Sequence, residues 1–207
     1  MMRLLWCFFL ACLGGLLLTS GCTRRVAEPW DVDLPPERSS RPPLPSVAEL
    51  LPALDDPDPD IRLAAVISLA MQAEQAKPAV AKLLERLRDE HPLVRQAAAD
   101  TLGTLQAVEA VEPLIALLHD PSVDVRRSAV IALGKIGPPA SRASEALAKA
   151  LTDSDEDVRW AAMVALGQIG PAARPAVAAL REAARQADNE TKRRIADSLK
   201  KIEAPAP

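Results

Sequence analysis

The feature that most constrains the fold is a short motif that recurs at an almost fixed spacing. Each copy ends in a basic residue, in Asp60-Ile61-Arg62, Leu93-Val94-Arg95, Asp124-Val125-Arg126, Asp157-Val158-Arg159 and Glu190-Thr191-Lys192. Successive basic residues are 33, 31, 33 and 33 positions apart. A constant period in this range is typical of stacked supersecondary units, so the chain is predicted to be a repeat array.

The residues after each motif predict a helix. Positions three and seven after each basic residue are apolar, as in Ala129 and Leu133 after Arg126, and this spacing is helical. We name this segment helix B. Glycines stand where helix B is expected to end, at Gly103, Gly134, Gly137, Gly167 and Gly170. Because glycine tolerates the left-handed conformation, all five are predicted to be helix C-caps.

A second apolar-periodic stretch precedes each motif and predicts a helix A. These stretches are Val47–Leu54, Ala79–Leu87, Val111–Leu118, Ser144–Leu151 and Val177–Ala184. Each helix A followed by a helix B forms one hairpin. The predicted repeat domain covers residues 46–203, with repeats at 46–74, 78–106, 109–137, 141–170 and 174–203, followed by a tail at 204–207.

The most complete copy of the motif carries a family resemblance. Asp157 to Gly170 reads Asp-Val-Arg-x-x-Ala-x-x-Ala-Leu-Gly-x-Ile-Gly and resembles the short HEAT repeat that also occurs in phycobilisome-lyase proteins. The resemblance implies an all-α, right-handed α-α superhelix of about five hairpins. It also implies a structural ladder of hydrogen bonds between neighbouring repeats, formed by Asp60, Arg62, Arg95, Asp124, Arg126, Asp157 and Arg159.

The N-terminus has the pattern of an export signal. Arg3 precedes an apolar run from Leu4 to Leu18, and Thr19-Ser20-Gly21-Cys22 follows. A bilayer-spanning helix needs about 20 apolar residues, so the shorter run favours a signal peptide at 1–21 over an uncleaved signal anchor. The segment ending in Cys22 resembles the bacterial lipobox. That resemblance implies a covalent lipid at Cys22 and a lipid-anchored, extracytoplasmic protein, with the periplasmic side of an outer membrane favoured.

A proline-rich segment separates Cys22 from the repeats. Six of the residues from Thr23 to Pro45 are proline, and no apolar periodicity is present. Such composition favours extended polyproline II, so residues 22–45 are predicted to be a disordered tether. The one aromatic residue of this tether, Trp30, either remains exposed or docks on a membrane or on the repeat domain.

Few residues are suited to chemistry. The histidines are His91 and His119, both in turns between helix A and helix B, and solvated turn residues are a simpler account of them than a weak metal site. Neither histidine has a motif-placed serine partner, and no phosphate-binding glycine loop occurs. The net charge of -3 gives no support for nucleic-acid binding. We therefore expect no catalysis, no metal, no small-molecule substrate and no cofactor other than the lipid.

Acidic residues crowd the turns between helix A and helix B. Asp at a helix N-terminus caps free N–H groups, which explains the crowding locally. An acidic edge that attracts cations or basic partners is the alternative.

One face of helix B is predicted to point away from the core. At 100° per residue, positions one, five and nine after each motif base face outward. The candidate partner-binding residues on this helix-B face are Leu63, Ile67, Arg127, Ile131, Trp160 and Val164. In HEAT-like arrays the face lines a concave groove, whereas the competing interpretation makes these side chains peripheral core.

Together these patterns predict a membrane-anchored HEAT-like scaffold that binds a protein or peptide partner through its helix-B face. Two alternatives remain open. One is a passive envelope spacer without a specific partner, and the other is an enzyme related to the bilin lyases that share the repeat.

Overall fold

The computed structural model describes residues 45–205, and in this range ten α-helices follow one another without a strand. The A helices are α1 (Val47–Ala53), α3 (Val80–Arg86), α5 (Val111–Leu117), α7 (Ser144–Ala150) and α9 (Val177–Gln186). The B helices are α2 (Pro59–Ala70), α4 (Pro92–Thr104), α6 (Val123–Ile136), α8 (Glu156–Ile169) and α10 (Asn189–Glu203). The prediction of an all-α array of five hairpins is confirmed for these residues. We number the hairpins repeats 1 to 5.

Local sequence sets where the helices begin. Ser46 and Glu49 form a reciprocal capping box at the start of α1. Prolines occupy the first position of α2 and α4, where a missing N–H costs no helical hydrogen bond. Asp58, Asp155 and Asp188 cap α2, α8 and α10 by accepting hydrogen bonds from backbone N–H groups of the first turn.

The core lies between the two helix layers and repeats with the sequence. Every helix A contributes one buried leucine at its centre, and these are Leu50, Leu83, Leu114, Leu147 and Leu180. On helix B the third and seventh positions after the motif are buried in repeats 1 to 4, whereas in repeat 5 Ile195 is buried and Leu199 is half-buried. Each hairpin thus buries one face of both helices against its neighbours.

The B helices of neighbouring repeats pack directly against one another along the whole array. Helix A instead reaches the following repeat largely through the 3-10 segment that precedes the next helix A, such as Pro138–Ala143 or Gly170–Ala176. The B layer is therefore the more closely packed of the two layers.

The glycines have two roles, of which the sequence predicted one. Gly137 and Gly170 have positive φ and end α6 and α8. The prediction is wrong for Gly103, Gly134 and Gly167, which lie inside their helices where two B helices meet. A Cβ on Gly103 would approach the Cα of Ala132 to 2.6 Å, so the close contact between α4 and α6 requires a residue without a side chain.

The export signal, Cys22 and nearly all of the tether lie outside the described residues. Between residues 45 and 205, no helix has the length and apolar character needed to cross a bilayer.

Candidate functional site

The predicted helix-B face lies at the surface of the array. The exposed fractions of Ile67, Ile131 and Trp160 are 49%, 36% and 43%. Leu63 and Val164 are half-buried beside them. These three side chains present apolar area to solvent, although half or more of each remains covered.

Arg127 is placed on this face but is held by its own array. Its guanidinium donates to Asp124 in the same helix and to Oδ2 of Asp157 in the next repeat, at 3.1 Å for the second contact. The three side chains form a partly exposed ion-pair cluster that joins repeats 3 and 4. A partner would have to compete with two carboxylates for this arginine.

Trp160 has a neighbour that the helical projection did not place beside it. The guanidinium carbon of Arg194 lies 5.4 Å from the centre of the indole ring, a cation–π distance. Arg194 belongs to α10, and it also pairs with Glu190 one turn earlier. Repeat 5 thus covers part of the Trp160 ring, and this contact could be found only once α8 and α10 were known to be adjacent.

Between the two apolar parts of the face lies a polar repeat. Repeat 2 contributes Gln96, Asp100 and Thr104 to the face. Burial raises the pKa of Asp100 above its usual value, although Ser128, Lys135 and Arg127 oppose this shift. The face is therefore apolar at repeat 1, polar at repeat 2, mixed apolar and basic at repeat 3, and largely apolar at repeat 4.

A second regular feature runs along the edge that carries the A–B turns. One arginine in each of repeats 1 to 3 forms a two-pronged hydrogen bond with an aspartate of the next repeat, and we name this series the arginine ladder. Its Nε–Oδ2 and Nη2–Oδ1 distances are 2.8 and 2.8 Å for Arg62 with Asp89, 2.8 and 2.9 Å for Arg95 with Asp120, and 2.9 and 2.9 Å for Arg126 with Asp153.

Each ladder arginine also fixes the turn of its own repeat. Nη1 of Arg62 donates to the carbonyl oxygens of Asp56 and Pro57 at 2.8 and 3.0 Å, and Arg95 and Arg126 repeat this pattern. The guanidinium donates to carbonyl oxygens of the turn on one side and to a carboxylate on the other. Such charge-assisted hydrogen bonds are strong and directional. The ladder therefore sets both the turn conformation and the repeat register.

The ladder shifts the ionisation of its members. Burial opposes ionisation of Asp89, but the hydrogen bonds from Arg62 and from the His91 backbone outweigh it, so the pKa of Asp89 falls below its usual value. The hydrogen bond from Arg126 is the main reason that the pKa of Asp153 is lowered. These aspartates are held as carboxylates by their partners.

The structure places the arginines of the predicted ladder as expected in repeats 1 to 3 but corrects the carboxylates. Asp60, Asp124 and Asp157 stand two residues before the motif base and do not accept from the ladder. Asp60 forms no side-chain hydrogen bond among residues 45–205, whereas Asp124 and Asp157 bind Arg127. The ladder acceptors stand six residues before the next base, in the turn, where the carboxylate faces the preceding repeat.

The same turn aspartates explain much of the acidic edge. Asp56, Asp89, Asp120 and Asp153 each accept the backbone N–H two residues later, at 2.8 to 2.9 Å. Such a hydrogen bond closes the turn between the helices. With the three capping aspartates, Asp58, Asp155 and Asp188, seven of the acidic residues in these turns have a local structural role.

The ladder is incomplete at the junction of repeats 4 and 5. Nη1 of Arg159 donates to the carbonyl oxygens of its own turn, Asp153 and Ser154, at 2.8 and 3.0 Å. Its Nε and Nη2 atoms have no acceptor within residues 45–205, because Gln186 stands where the aspartate would be. A cavity of about 610 Å³ opens beside Arg159 and Trp160.

The two histidines do not form a site with acidic residues. His91 is half-buried at the start of α4, and His119 is exposed in the next turn. In the part of the chain that the structure describes, no group of three or more His, Cys, Asp or Glu side chains is arranged to hold a metal ion.

A comparison with protein families matches this sequence to the model for HEAT repeats over residues 47–131 and 111–200. A comparison with curated proteins found no match.

Solved structures of helical repeat proteins are similar to this chain. An engineered protein is 25% identical, with a TM-score of 0.65 over 76% of this chain and 79% of that one. The complex of CpcE and CpcF of phycocyanin lyase from Nostoc sp. PCC7120 is 23% identical, with a TM-score of 0.63 over 80% and 68%. A designed armadillo repeat protein in complex with the peptide (KR)4 is 22% identical, with a TM-score of 0.63 over 76% and 82%.

Proposed function

Because the chain belongs to the family of HEAT-repeat proteins, we propose that it is a non-catalytic scaffold that binds a protein or peptide partner through its helix-B face. The observation that carries this proposal is the exposure of Ile131 and Trp160 on the helix-B face. Exposed apolar and aromatic side chains beside arginine are typical of interface hot spots.

The composition of the face supports a partner of mixed character. Ile67 and Met71 are exposed at one end of the face, with Met71 64% exposed, and Ile131 and Trp160 are exposed toward the other. A partner lying along the helix-B face would contact both apolar areas across the polar repeat 2. Two of the similar structures, the armadillo protein with its peptide and the CpcE–CpcF complex, are repeat proteins with a bound partner.

The proposal includes a location. The apolar run Leu4 to Leu18 and the following Cys22 support an exported protein that is lipidated at Cys22 and held in the bacterial envelope. The Cys22→Ala variant is expected to accumulate as unprocessed precursor. Normal cleavage and membrane retention of that variant would contradict the location.

The absence of catalysis is also proposed. One similar structure belongs to a lyase, so a bilin-handling activity is the natural rival. Among the described residues we find no constellation of nucleophile, base and orienting group that would perform it. A lyase would require residues that hold a chromophore, and Trp160 is the one aromatic side chain between residues 45 and 205.

The test is crosslinking and capture of the full-length chain from membranes. Ile131→Asp and Trp160→Asp are compared with Val108→Asp, which places the same charge at a side chain that is 51% exposed outside helix B. All three variants should keep the helical circular dichroism of the native chain. We expect a partner that the native chain and Val108→Asp capture and the two face variants lose.

Equal capture by all four proteins would contradict the helix-B face as the binding surface. No captured protein in any of them would favour the spacer function.

A further inference from the structure

Repeat 5 departs from the other four at two positions of its helix A and turn. Leucines occupy one position in repeats 1 to 4, namely Leu54, Leu87, Leu118 and Leu151, and none is more than 7% exposed. Repeat 5 has Ala184 there. Two residues later the turn aspartate of the first four repeats is replaced by Gln186.

These changes alter the backbone. In repeats 1 to 4 helix A has seven residues and ends just before the turn, where the aspartate accepts an N–H two residues later. A glutamine side chain is one carbon too long for this turn, and α9 continues to Gln186 for ten residues. Among the described residues, the turn of repeat 5 therefore supplies no carboxylate that accepts from the Arg159 fork.

The space left at this junction is a cavity of about 610 Å³. Its apolar wall includes Leu151, Trp160, Met163 and Ile195. Arg159 lines the cavity and has a free fork, since among the described residues only its Nη1 atom donates hydrogen bonds. The cavity thus combines an apolar wall with the same donor pair that binds a carboxylate at three other junctions.

Acidic side chains also border the cavity and narrow the choice of ligand. Asp188 accepts the backbone N–H of Thr191 at 2.7 Å, and Glu182 pairs with Arg185, so both have partners of their own. Glu156 lies in the first turn of α8, where the helix dipole stabilises it. The three carboxylates in the lining disfavour a polyanion, so that an acidic ligand is restricted to one carboxylate that reaches the Arg159 fork itself.

We propose that this cavity binds an acidic side chain of a partner peptide, whose carboxylate takes the place that Asp89, Asp120 and Asp153 occupy at the other junctions. An apolar residue two positions before it in the peptide packs against Trp160 and Met163. The inference rests on the proposed function in one respect, namely that the ligand is a segment of a protein. The cavity itself lies at the edge of the array, and Trp160 borders both surfaces.

The probe is a peptide with the sequence of residues 149–155, Lys-Ala-Leu-Thr-Asp-Ser-Asp, because this segment supplies the leucine and the aspartate that fill the preceding junction. The peptide carries fluorescein at its N-terminus. Its C-terminus is an amide, so that the peptide part has no terminal carboxylate and only its aspartate side chains can bind Arg159. Its control has Asn in place of the residue corresponding to Asp153. Binding to the full-length chain is followed by fluorescence anisotropy.

We expect the Asp peptide to bind at least about tenfold more tightly than the Asn control, since a two-pronged charged hydrogen bond is lost. Gln186→Asp should abolish the difference, because the new carboxylate occupies the Arg159 fork, whereas Gln186→Asn should retain it. Arg159→Gln should bind both peptides equally weakly. Equal binding of the two peptides to the native chain, or no binding of either, would overturn the proposal.

The experiment separates this proposal from the helix-B face. Ile131→Asp should retain peptide binding in the cavity while losing a partner captured on the face. Gln186→Asp should lose the preference for the Asp peptide while still capturing a partner that uses the helix-B face alone. Peptide binding without any captured partner would support the cavity and contradict the proposed function.

Discussion

The first three junctions between repeats and the last one are each built from an A helix and a B helix on either side. They differ in whether an arginine–aspartate pair joins the two repeats. At the junctions of repeats 1 to 4, an arginine fork and a carboxylate meet with little exposure, which is 6% and 3% for the side chains of Arg62 and Asp89. At the last junction Arg159 faces a cavity. The difference rests on Ala184 and Gln186, which replace the leucine and the turn aspartate of the other repeats. The contact between neighbouring repeats therefore depends on turn residues as well as on the helix faces.

Acidification is expected to have the largest effect, because it acts on several closed junctions together. The folded pKa values of Asp89 and Asp153 lie below their ordinary value of 3.8. The unfolded chain therefore takes up protons first as the pH falls. The stabilisation is fully present above about pH 5 and is lost progressively as the pH falls through the folded pKa values.

Urea unfolding at pH 7, 5, 4 and 3 measures this loss. The double variant Arg126→Gln/Asp153→Asn should show a shallower dependence on pH than the native chain. An identical dependence would mean that the ladder does not control acid stability.

Removing one ladder carboxylate should have the next largest effect. Asp89→Ala leaves the buried Arg62 guanidinium with only the exposed Glu90 as a carboxylate partner, which is expected to cost about 3–5 kcal/mol of unfolding free energy. The matched change in repeat 5, Gln186→Ala, should cost less than about 0.5 kcal/mol. Chemical denaturation followed by circular dichroism compares the two, and similar losses would remove the distinction between closed and open junctions.

A glycine substitution compares a B helix that is followed by another repeat with the last B helix of the described chain. Gly103→Ala places a methyl group against the backbone of Ala132 and should cost about 1–3 kcal/mol. Lys200 holds the matched position on α10, where no repeat follows in the described chain, and Lys200→Ala should be nearly neutral. Thermal unfolding of both variants measures the difference.

The smallest expected effect is a gain. Gln186→Asp gives repeat 5 the turn aspartate of the other repeats and should add about 1 kcal/mol by closing the last junction. Gln186→Asn, which has the same length without the charge, should add less. A melting temperature unchanged by Gln186→Asp would show that the backbone of α9, rather than the missing carboxylate, keeps the junction open.

The repeat pattern predicted the helices well because each hairpin is a local unit with a strong apolar period. It failed where residues of different repeats meet. Asp124 and Asp89 are equally plausible ladder acceptors when one motif is read alone, and the choice depends on which carboxylate faces the preceding repeat. Gly103 similarly looks like a helix end until the adjacent helix is known.

On the helix-B face, the outward positions of Ile67, Ile131 and Trp160 followed from helical geometry. The contacts of Arg127 with Asp157 and of Trp160 with Arg194 did not, because each joins side chains about thirty residues apart or more. The replacements at Ala184 and Gln186 are visible in an alignment of the repeats. Their consequence is a cavity beside the Arg159 guanidinium, whose Nε and Nη2 atoms have no acceptor among residues 45–205, and it depends on how repeat 5 stacks.

The direction of the arginine ladder bears on how such an array could lengthen. Each middle repeat carries an acceptor for the repeat before it and a donor for the repeat after it. A tandem gene duplication of a middle repeat would therefore insert a unit already equipped for both new junctions. Duplication of repeat 5, which has Gln186 and Lys192 at these two positions, would supply neither, so growth of the array is favoured from within.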